Sequence, residues 1–521
     1  MARKPIKKTK KTTKKKAAVP QLQGFRFGSK GREPVRLKKT PSRAKKTGKA
    51  FQESQGRKMG SFSLLRGMKD VLPEEQKYWD LVRDKVEKLG SIYGFGKIET
   101  PILEETALFR RAVGEDTDII TKEMFSFKDQ GGDEVCLRPE ATASVVRAYI
   151  EHGMLNRSQP QKFWYLGPMF RRDRPQAGRQ RQFNQFGFEA IGAGDSVIDA
   201  QLIILFYKIC EELKMDVTVQ INSIGCLECR PAYKKALVDY LKVKKNFLCD
   251  DCKNRLGKNP LRILDCKNRE CQKMMEEAPQ IVDFLCEDCK GHFIKVLECL
   301  DECAIPYNLN SKLVRGLDYY TKTVFEIWPL FDEQKEDQLG TQGEENEKGV
   351  STNETNMTNK TNNKDGESVA SKVDPSNLAL GGGGRYDGLA EILGAREETP
   401  AAGFAVGIER MILVLKKQEV KISGSKKADI FLAQLGDQAK KISLKLFEDL
   451  RKGNIKTAEN FSKDGLKSQL EQADKLGVKY TLIIGQKEIL DRTIIIRDME
   501  SGVQEVVDFD KAVEEVKKRL K

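Results

Sequence analysis

Apolar positions recur at helical spacing in PEEQKYWDLVRDKVEKLGSIYGF, which opens on Leu72 and Pro73 with acidic residues behind them. The stripe Leu81, Val82, Val86 and Leu89 predicts an amphipathic helix starting at Pro73. GKIETPILEE then reads as a strand cut at Pro101, and 135–137, 163–166 and 183–189 read as further strands. SVIDAQLIILFYKICEEL reads as a largely buried helix. Strands joined in order by hairpin-like loops predict an antiparallel sheet. From about Ala428 the pattern changes. ADIFLAQL, a helix over Asp437–Lys452, IKTAEN, a helix over Gly465–Leu476 and VKYTLIIG alternate strand with helix, which predicts a small C-terminal α/β domain.

Charge and low complexity divide the rest of the chain. Its 521 residues carry a net charge of +15, and residues 1–60 hold 21 Lys and Arg against two acidic residues, Glu33 and Glu53. The basicity therefore belongs to the tail, and the body is slightly acidic. The tail, 1–58, has too few large apolar residues to bury and is expected to be disordered. It reads as an electrostatic arm for nucleic acid or as a solvated extension, with Met59 an alternative start. A polar Asn/Thr/Lys/Glu-rich insert at about 332–377 is expected to be disordered too. Its Asn-x-Thr triplets at Asn353, Asn356 and Asn359 read as composition, since no secretory signal accompanies them. No apolar run is long enough to span a membrane, so a cytoplasmic location and no membrane partner are expected. The remaining boundaries are a main domain over 59–225 and 304–425, an insertion over 226–303 and a C-terminal domain over 428–521.

The segment FRRDRPQAGRQRQFNQFGFE, 170–189, turns from arginines to aromatics and amides and ends on a lone Glu. That reads as two strands joined by a basic loop that reaches for an anion, their faces lining a pocket. There is no GxxxxGK[ST], so no P-loop holds a nucleotide. LALGGGGRYDGL and GFAVGIER combine small residues with Arg-Tyr-Asp and Arg410, as if a ligand approached the main chain. Together with LRPEATA and LVRGLDYYTKTVFE, these segments resemble the histidyl-tRNA synthetases, a class II aminoacyl-tRNA synthetase family, from about Leu65 to the C-terminus. YGFGKIETPIL resembles class motif 1, the 170–189 segment motif 2 and GFAVGIER motif 3. RGLDYY and GGGRYDGL resemble the two signatures peculiar to the histidine enzymes.

The resemblance implies a class II catalytic domain on an antiparallel sheet, a helical insertion over the tRNA acceptor end, and an anticodon-binding domain. It implies activation of L-histidine by ATP with Mg²⁺, transfer to the 3′ end of tRNA(His), and a homodimer. Catalysis then falls to Arg171 at the α-phosphate, Arg410 near the γ-phosphate, and Arg315 between the substrate carboxylate and the α-phosphate, because guanidinium forks suit phosphate oxygens. Glu189 and Tyr320 would face the imidazole. Glu140, Thr142 and Gln185 would accept from the α-ammonium, with Ala141 beside them, and Tyr319 and Tyr386 would wall the pocket. Asp173 would touch the adenine side, and Arg174, Gln176 and Arg179 the tRNA acceptor end. The chain departs from the family pattern at Asp173 (usually Glu), Asn184 (often His) and Ala141 (often Gly). His152 and His292, the two histidines of the chain, read as structural or surface residues. The rival implied by the same resemblance is a non-catalytic, histidine-sensing regulatory paralogue. Such relatives tend to lose the C-terminal domain and the catalytic arginine.

Ten of the twelve cysteines fall between Cys226 and Cys303. Cys226/Cys229, Cys249/Cys252, Cys266/Cys271 and Cys286/Cys289 form four close pairs. In a chain without a secretory signal this spacing argues for reduced thiols or structural Zn²⁺, two pairs per tetrahedral site. A cysteine-rich helical insertion without metal is the alternative.

Overall fold

The computed structural model describes residues 62–115, 117–173, 178–331, 378–422, 428–462 and 465–521. The tail, the 332–377 insert, Met59, Arg174 and Gln176 lie outside these residues.

The helix foreseen at Pro73 runs Pro73–Ile92, with proline in its first turn beside Glu74 and Glu75. Both suit a helix N-terminus: proline has no N–H to leave unpaired, and acidic groups oppose the positive end of the dipole. Trp79, Val82, Val86 and Leu89 are buried, whereas Leu81 is half-buried at the edge of the stripe. The central element is an eight-stranded sheet. From edge to edge it runs Gly96–Lys97, Gln161–Phe170, Gln182–Ile191, Ala401–Gly407, Gly381–Arg385, Thr321–Pro329, Val217–Ser223 and Tyr307–Leu309. The two outermost pairings are parallel and the others antiparallel.

The arginine-to-amide segment is a hairpin arm, as its pattern suggested. Gln161–Phe170 pairs with Gln182–Ile191 from Gln161↔Ile191 to Phe170↔Gln182, leaving the basic residues in the connection. Alternation then sorts the second strand's side chains. Phe186 and Phe188 enter a core covered by the helices Pro73–Ile92, Ser196–Glu212, Glu287–Glu302 and Ile408–Lys417. There Phe404 stacks between Phe188 and Phe206, with ring centroids 5.2 and 5.0 Å away. Gln185, Gly187 and Glu189 point to the opposite face, where Ala141, Tyr165, Tyr319, Tyr320 and Tyr386 pack.

A three-stranded sheet of Leu103–Glu105, Glu134–Leu137 and Phe125–Lys128 flanks this second face, together with the helix Thr142–Glu151. The insertion is helical: Cys229–Val243, Asp250–Lys258 and Arg269–Met274 precede Glu287–Glu302, which returns the chain to the main core. The C-terminal region forms a five-stranded sheet ordered Thr457–Glu459, Ile430–Gln434, Tyr480–Ile484, Thr493–Asp498, Gln504–Asp508. Its first three strands are parallel and the last two antiparallel. Helices Asp437–Lys452 and Leu466–Leu476 cover it, one residue from the foreseen bounds at Gly465. Among the described residues no helix is long and apolar enough to cross a membrane.

Candidate active site

The uncovered face of the large sheet holds a cavity of about 720 Å³. Glu140, Thr142, Arg171, Asp173, Arg179, Gln185, Arg315, Tyr319, Tyr320 and Arg410 all line it, so residues spread over 270 positions of sequence meet at one place. Glu189 and Tyr386 lie just beneath, fully buried.

The inner end is built around Glu189. Its carboxylate accepts from Thr142 Oγ1 at 2.7 Å and from the Tyr386 hydroxyl. Gly403 stands opposite on the neighbouring strand, and a Cβ there would overlap the carboxylate. Burial pushes the Glu189 carboxyl up to about 8, with Glu140 adding to the effect. Glu140 accepts backbone N–H bonds from Thr142 (2.6 Å) and Ala143 (3.0 Å) at the start of the helix Thr142–Glu151, and burial raises its pKa as well. Ala141, beside it, is buried. Tyr319, Tyr320 and Tyr386 form a mutual cluster with centroids 4.7 to 6.4 Å apart. The side-chain carbonyl of Gln185 is buried with no hydrogen-bond partner, a polar group poised for a ligand donor.

The outer end is cationic. Arg171 Nε donates to the Pro139 carbonyl at 2.8 Å, and its guanidinium lies over the Phe183 ring at 5.5 Å. Arg410, in the first turn of Ile408–Lys417, donates to the carbonyls of Gly178 (3.2 Å) and Ala379 (2.8 Å). Burial, with Arg179 and Arg171 nearby, pulls its pKa down to about 10. Asp173 accepts from Arg179 at 3.0 Å. Arg315 joins the two ends: it is paired with Glu326, sits 5.8 Å from the Tyr320 ring centroid, and leaves a buried Nε without a partner. Such a crowd of guanidiniums is poised for a polyanion.

Several site-forming residues carried no signal in the sequence pattern. Tyr165, buried opposite Gly187, reaches the same face, and the pairing that makes room for its ring is visible only in the register. Glu409 accepts from the Asn184 backbone N–H (2.8 Å) and side chain (3.2 Å), fixing the helix that carries Arg410 to the motif strand. Asn184 thus has a structural partner where the family often has His. His292 is structural, as read: its Nε2 lies 2.8 Å from Asp199, whose carboxylate clamps the fully buried Arg385 next to Tyr386. His152 caps the end of Thr142–Glu151.

The eight paired cysteines gather into two quartets, Cys226/Cys229/Cys286/Cys289 and Cys249/Cys252/Cys266/Cys271, each with all sulfurs within 4.8 Å of one another. Individual Sγ···Sγ separations are 3.5 Å (Cys226–Cys229), 4.0 Å (Cys226–Cys286) and 3.8 Å (Cys249–Cys266). A tetrahedron with Zn–S bonds of about 2.3 Å has edges of about 3.8 Å, so the donor set fits that ion. Disulfide sulfurs would sit about 2 Å apart, so these are not disulfides. Among the described residues these quartets are the only groups of three or more metal donors so closely placed.

Comparison with known proteins identifies the family. The family model "Histidyl-tRNA synthetase" matches residues 67–344, and "Anticodon binding domain" matches residues 426–519. A histidine--tRNA ligase of Dehalococcoides mccartyi is 42% identical over 456 residues, covering 87% of this chain and 99% of the relative. One from Halothermothrix orenii is 42% identical over 454 residues, with coverage of 87% and 98%. The crystal structure of apo Staphylococcus aureus histidyl-tRNA synthetase superposes with a TM-score of 0.67 at 35% identity, covering 88% of this chain and all of that one. A structure titled ATP phosphoribosyltransferase regulatory subunit/histidyl-tRNA synthetase, from Bacillus halodurans, shares the fold with a TM-score of 0.53 at 19% identity, covering 82% of this chain and 99% of that one.

Proposed function

The chain belongs to the histidyl-tRNA synthetase family, and we propose that the cavity described above performs its chemistry with the residues named here. The enzyme is a histidine–tRNA ligase. Histidine and ATP give histidyl-adenylate and pyrophosphate; tRNA then takes the histidyl group and releases AMP. The observation that carries the assignment is the polarity of one cavity: a buried carboxyl and tyrosines at one end, Arg171, Arg179 and Arg410 at the other, and Arg315 between them.

In the first step the histidine carboxylate attacks the α-phosphorus and the pyrophosphate oxygen leaves. Glu189 and Tyr320 read the imidazole. Glu140, Thr142 and Gln185 accept from the α-ammonium, Gln185 through the carbonyl the fold leaves unpaired. A site whose buried polar groups are satisfied only by the right substrate rejects analogues that leave them unpaired. Arg171 and Arg315 hold the α-phosphate oxygens as charge builds there, and Arg410 holds the far phosphate. Asp173 lies toward the adenine side, while the basic connection carrying Arg174, Gln176 and Arg179 meets the acceptor end of tRNA. In the second step the terminal ribose hydroxyl attacks the carbonyl carbon, and an adenylate phosphate oxygen takes the proton.

Class II synthetases work with Mg²⁺, which, when bound, offsets phosphate charge. Glu326 and Glu409, oxygen donors on the cavity wall, are the residues that would hold it. The two cysteine quartets would each hold a structural Zn²⁺, which supplies cross-links the small insertion otherwise lacks. The C-terminal domain binds the anticodon loop, where unstacked bases are open to contact. The motif 1 segment, whose Ile102 and Leu103 are exposed, supports a homodimer. The protein acts in the cytoplasm.

The histidine-sensing alternative shares the fold, so fold does not decide between the two. Retention of Arg171, Arg315, Arg410 and the C-terminal domain supports catalysis. The test is histidine-dependent exchange of labelled pyrophosphate into ATP, with Arg315→Ala alongside. Exchange that needs histidine and collapses in the variant supports the reading. A folded protein that binds histidine yet gives no exchange would establish the sensor instead.

A further inference from the structure

Both cysteine quartets abut the same catalytic loop, 315–320, which carries Arg315, Tyr319 and Tyr320. The first quartet closes around the start of the helix Cys229–Val243. The next residue, Arg230, lies within electrostatic reach of Cys226, Cys229 and Cys289 and spends its hydrogen bonds on backbone carbonyls. Its Nε donates to the Ile224 carbonyl at 3.3 Å and its Nη2 to the backbone carbonyl of Tyr320. The second quartet encloses the helix Asp250–Lys258 and the turn after it. From that turn Asn259 Nδ2 donates to Asp318 Oδ1 at 2.8 Å. Arg262 lies flat over Gly316, so closely that a Cβ there would stand 3.1 Å from Nη1. Cys249 and Cys266 themselves border the active cavity.

A loop of six residues is thus held at three points by side chains from the insertion: Arg230 directly follows a quartet cysteine, and Asn259 and Arg262 lie in the stretch between Cys252 and Cys266 of the second quartet. Apolar packing through Tyr233, Leu237, Leu241, Leu256 and Ile263 also holds the insertion, whose helices are joined by 3₁₀ turns. A metal ion that ties four sulfurs from distant positions adds cross-links to that packing and contributes its binding energy to folding.

We propose that the two metal knuckles position the 315–320 loop, so that metal occupancy sets whether the histidine pocket is formed. Arg230 is the positioning residue that transmits the first site to Tyr320; Asn259 and Arg262 transmit the second to Asp318 and Gly316. The proposal rests on the reading of the quartets as Zn²⁺ sites and of Tyr320 as an imidazole contact. It predicts that loss of metal weakens histidine binding and, through Arg315 on the same loop, slows adenylation, while ATP binding changes less because Arg171 and Arg410 stand on the sheet and its own helices rather than on the insertion.

The test uses the full-length protein. Metal analysis is expected to find two zinc ions per chain, and Cys226→Ser and Cys249→Ser are each expected to lose one. A metal-free protein whose eight thiols all titrate would overturn the zinc reading itself. Arg230→Ala removes no sulfur ligand and is expected to keep both ions. Losing one charged donor on the Tyr320 carbonyl is expected to raise the KM for histidine about tenfold, with the KM for ATP unchanged. If Arg230→Ala keeps both ions and its histidine KM is unmoved, or if both KM values rise together, the positioning role fails while the zinc sites stand.

Discussion

The two ends of the cavity are stressed in opposite senses. At the histidine end, burial holds the Glu189 carboxyl at a pKa of about 8, so near neutral pH the acid keeps its proton and both its oxygens are engaged by hydroxyls. At the phosphate end, burial and neighbouring guanidiniums pull Arg410 down to about 10. One end suppresses charge; the other accumulates it. The inner end is built for shape and hydrogen-bond matching of a small, weakly charged ring. The outer end gathers guanidiniums that, under the proposed function, a triphosphate would neutralise. Under the proposed function, specificity and rate fall to different residues, and substitutions would separate them.

The largest separation is expected from Arg171→Ala. Removing a donor that acts on developing charge is expected to lower the exchange rate on the order of 10³-fold while histidine binding, read by calorimetry, stays within a few-fold. A loss below tenfold would mean the phosphate end is not where the transition state is held. Next comes Glu189→Gln, which keeps the shape but changes the hydrogen-bond pattern that Thr142 and Tyr386 address. The histidine KM is expected to rise about 10- to 100-fold with the ATP KM unchanged.

A third effect is read in stability rather than in rate. Glu189 titrates near 4.5 when unfolded and near 8 in the fold, so between those values the folded state binds more protons than the unfolded chain. Stability is therefore lost as pH rises through that window, by up to about 1.4 kcal/mol per pH unit from this group, and levels off above it. Glu189→Gln removes that contribution. Denaturant midpoints of wild type and variant, followed from pH 5 to pH 9, are expected to diverge in the variant's favour as pH rises. Parallel curves would show that the buried carboxyl ionises as easily as an exposed one.

How much of this was legible in the sequence follows from the range of each interaction. The hairpin at 161–191 was readable because alternation is local, and the C-terminal helices fell within a residue of their foreseen limits for the same reason. The site arginines and tyrosines were readable through resemblance, since they sit in contiguous motifs. Tyr165 was not, because its place opposite Gly187 depends on strand register. The Arg385–Asp199–His292 cluster was not, because 186 and 93 residues separate its members. The cysteines lay between these cases. Spacing showed four pairs that can combine in more than one way, and only the fold joins the first pair to the last.

The central claim is that one cavity divides recognition from phosphate chemistry. Its most direct test is histidine-dependent pyrophosphate exchange in wild type, Glu189→Gln and Arg410→Ala, with KM for each substrate and kcat resolved. The account predicts that the first variant moves the histidine KM alone, and that the second lowers kcat and raises the ATP KM with the histidine KM held. Variants that shift both substrates alike, or a wild-type enzyme whose exchange does not need histidine, would contradict it.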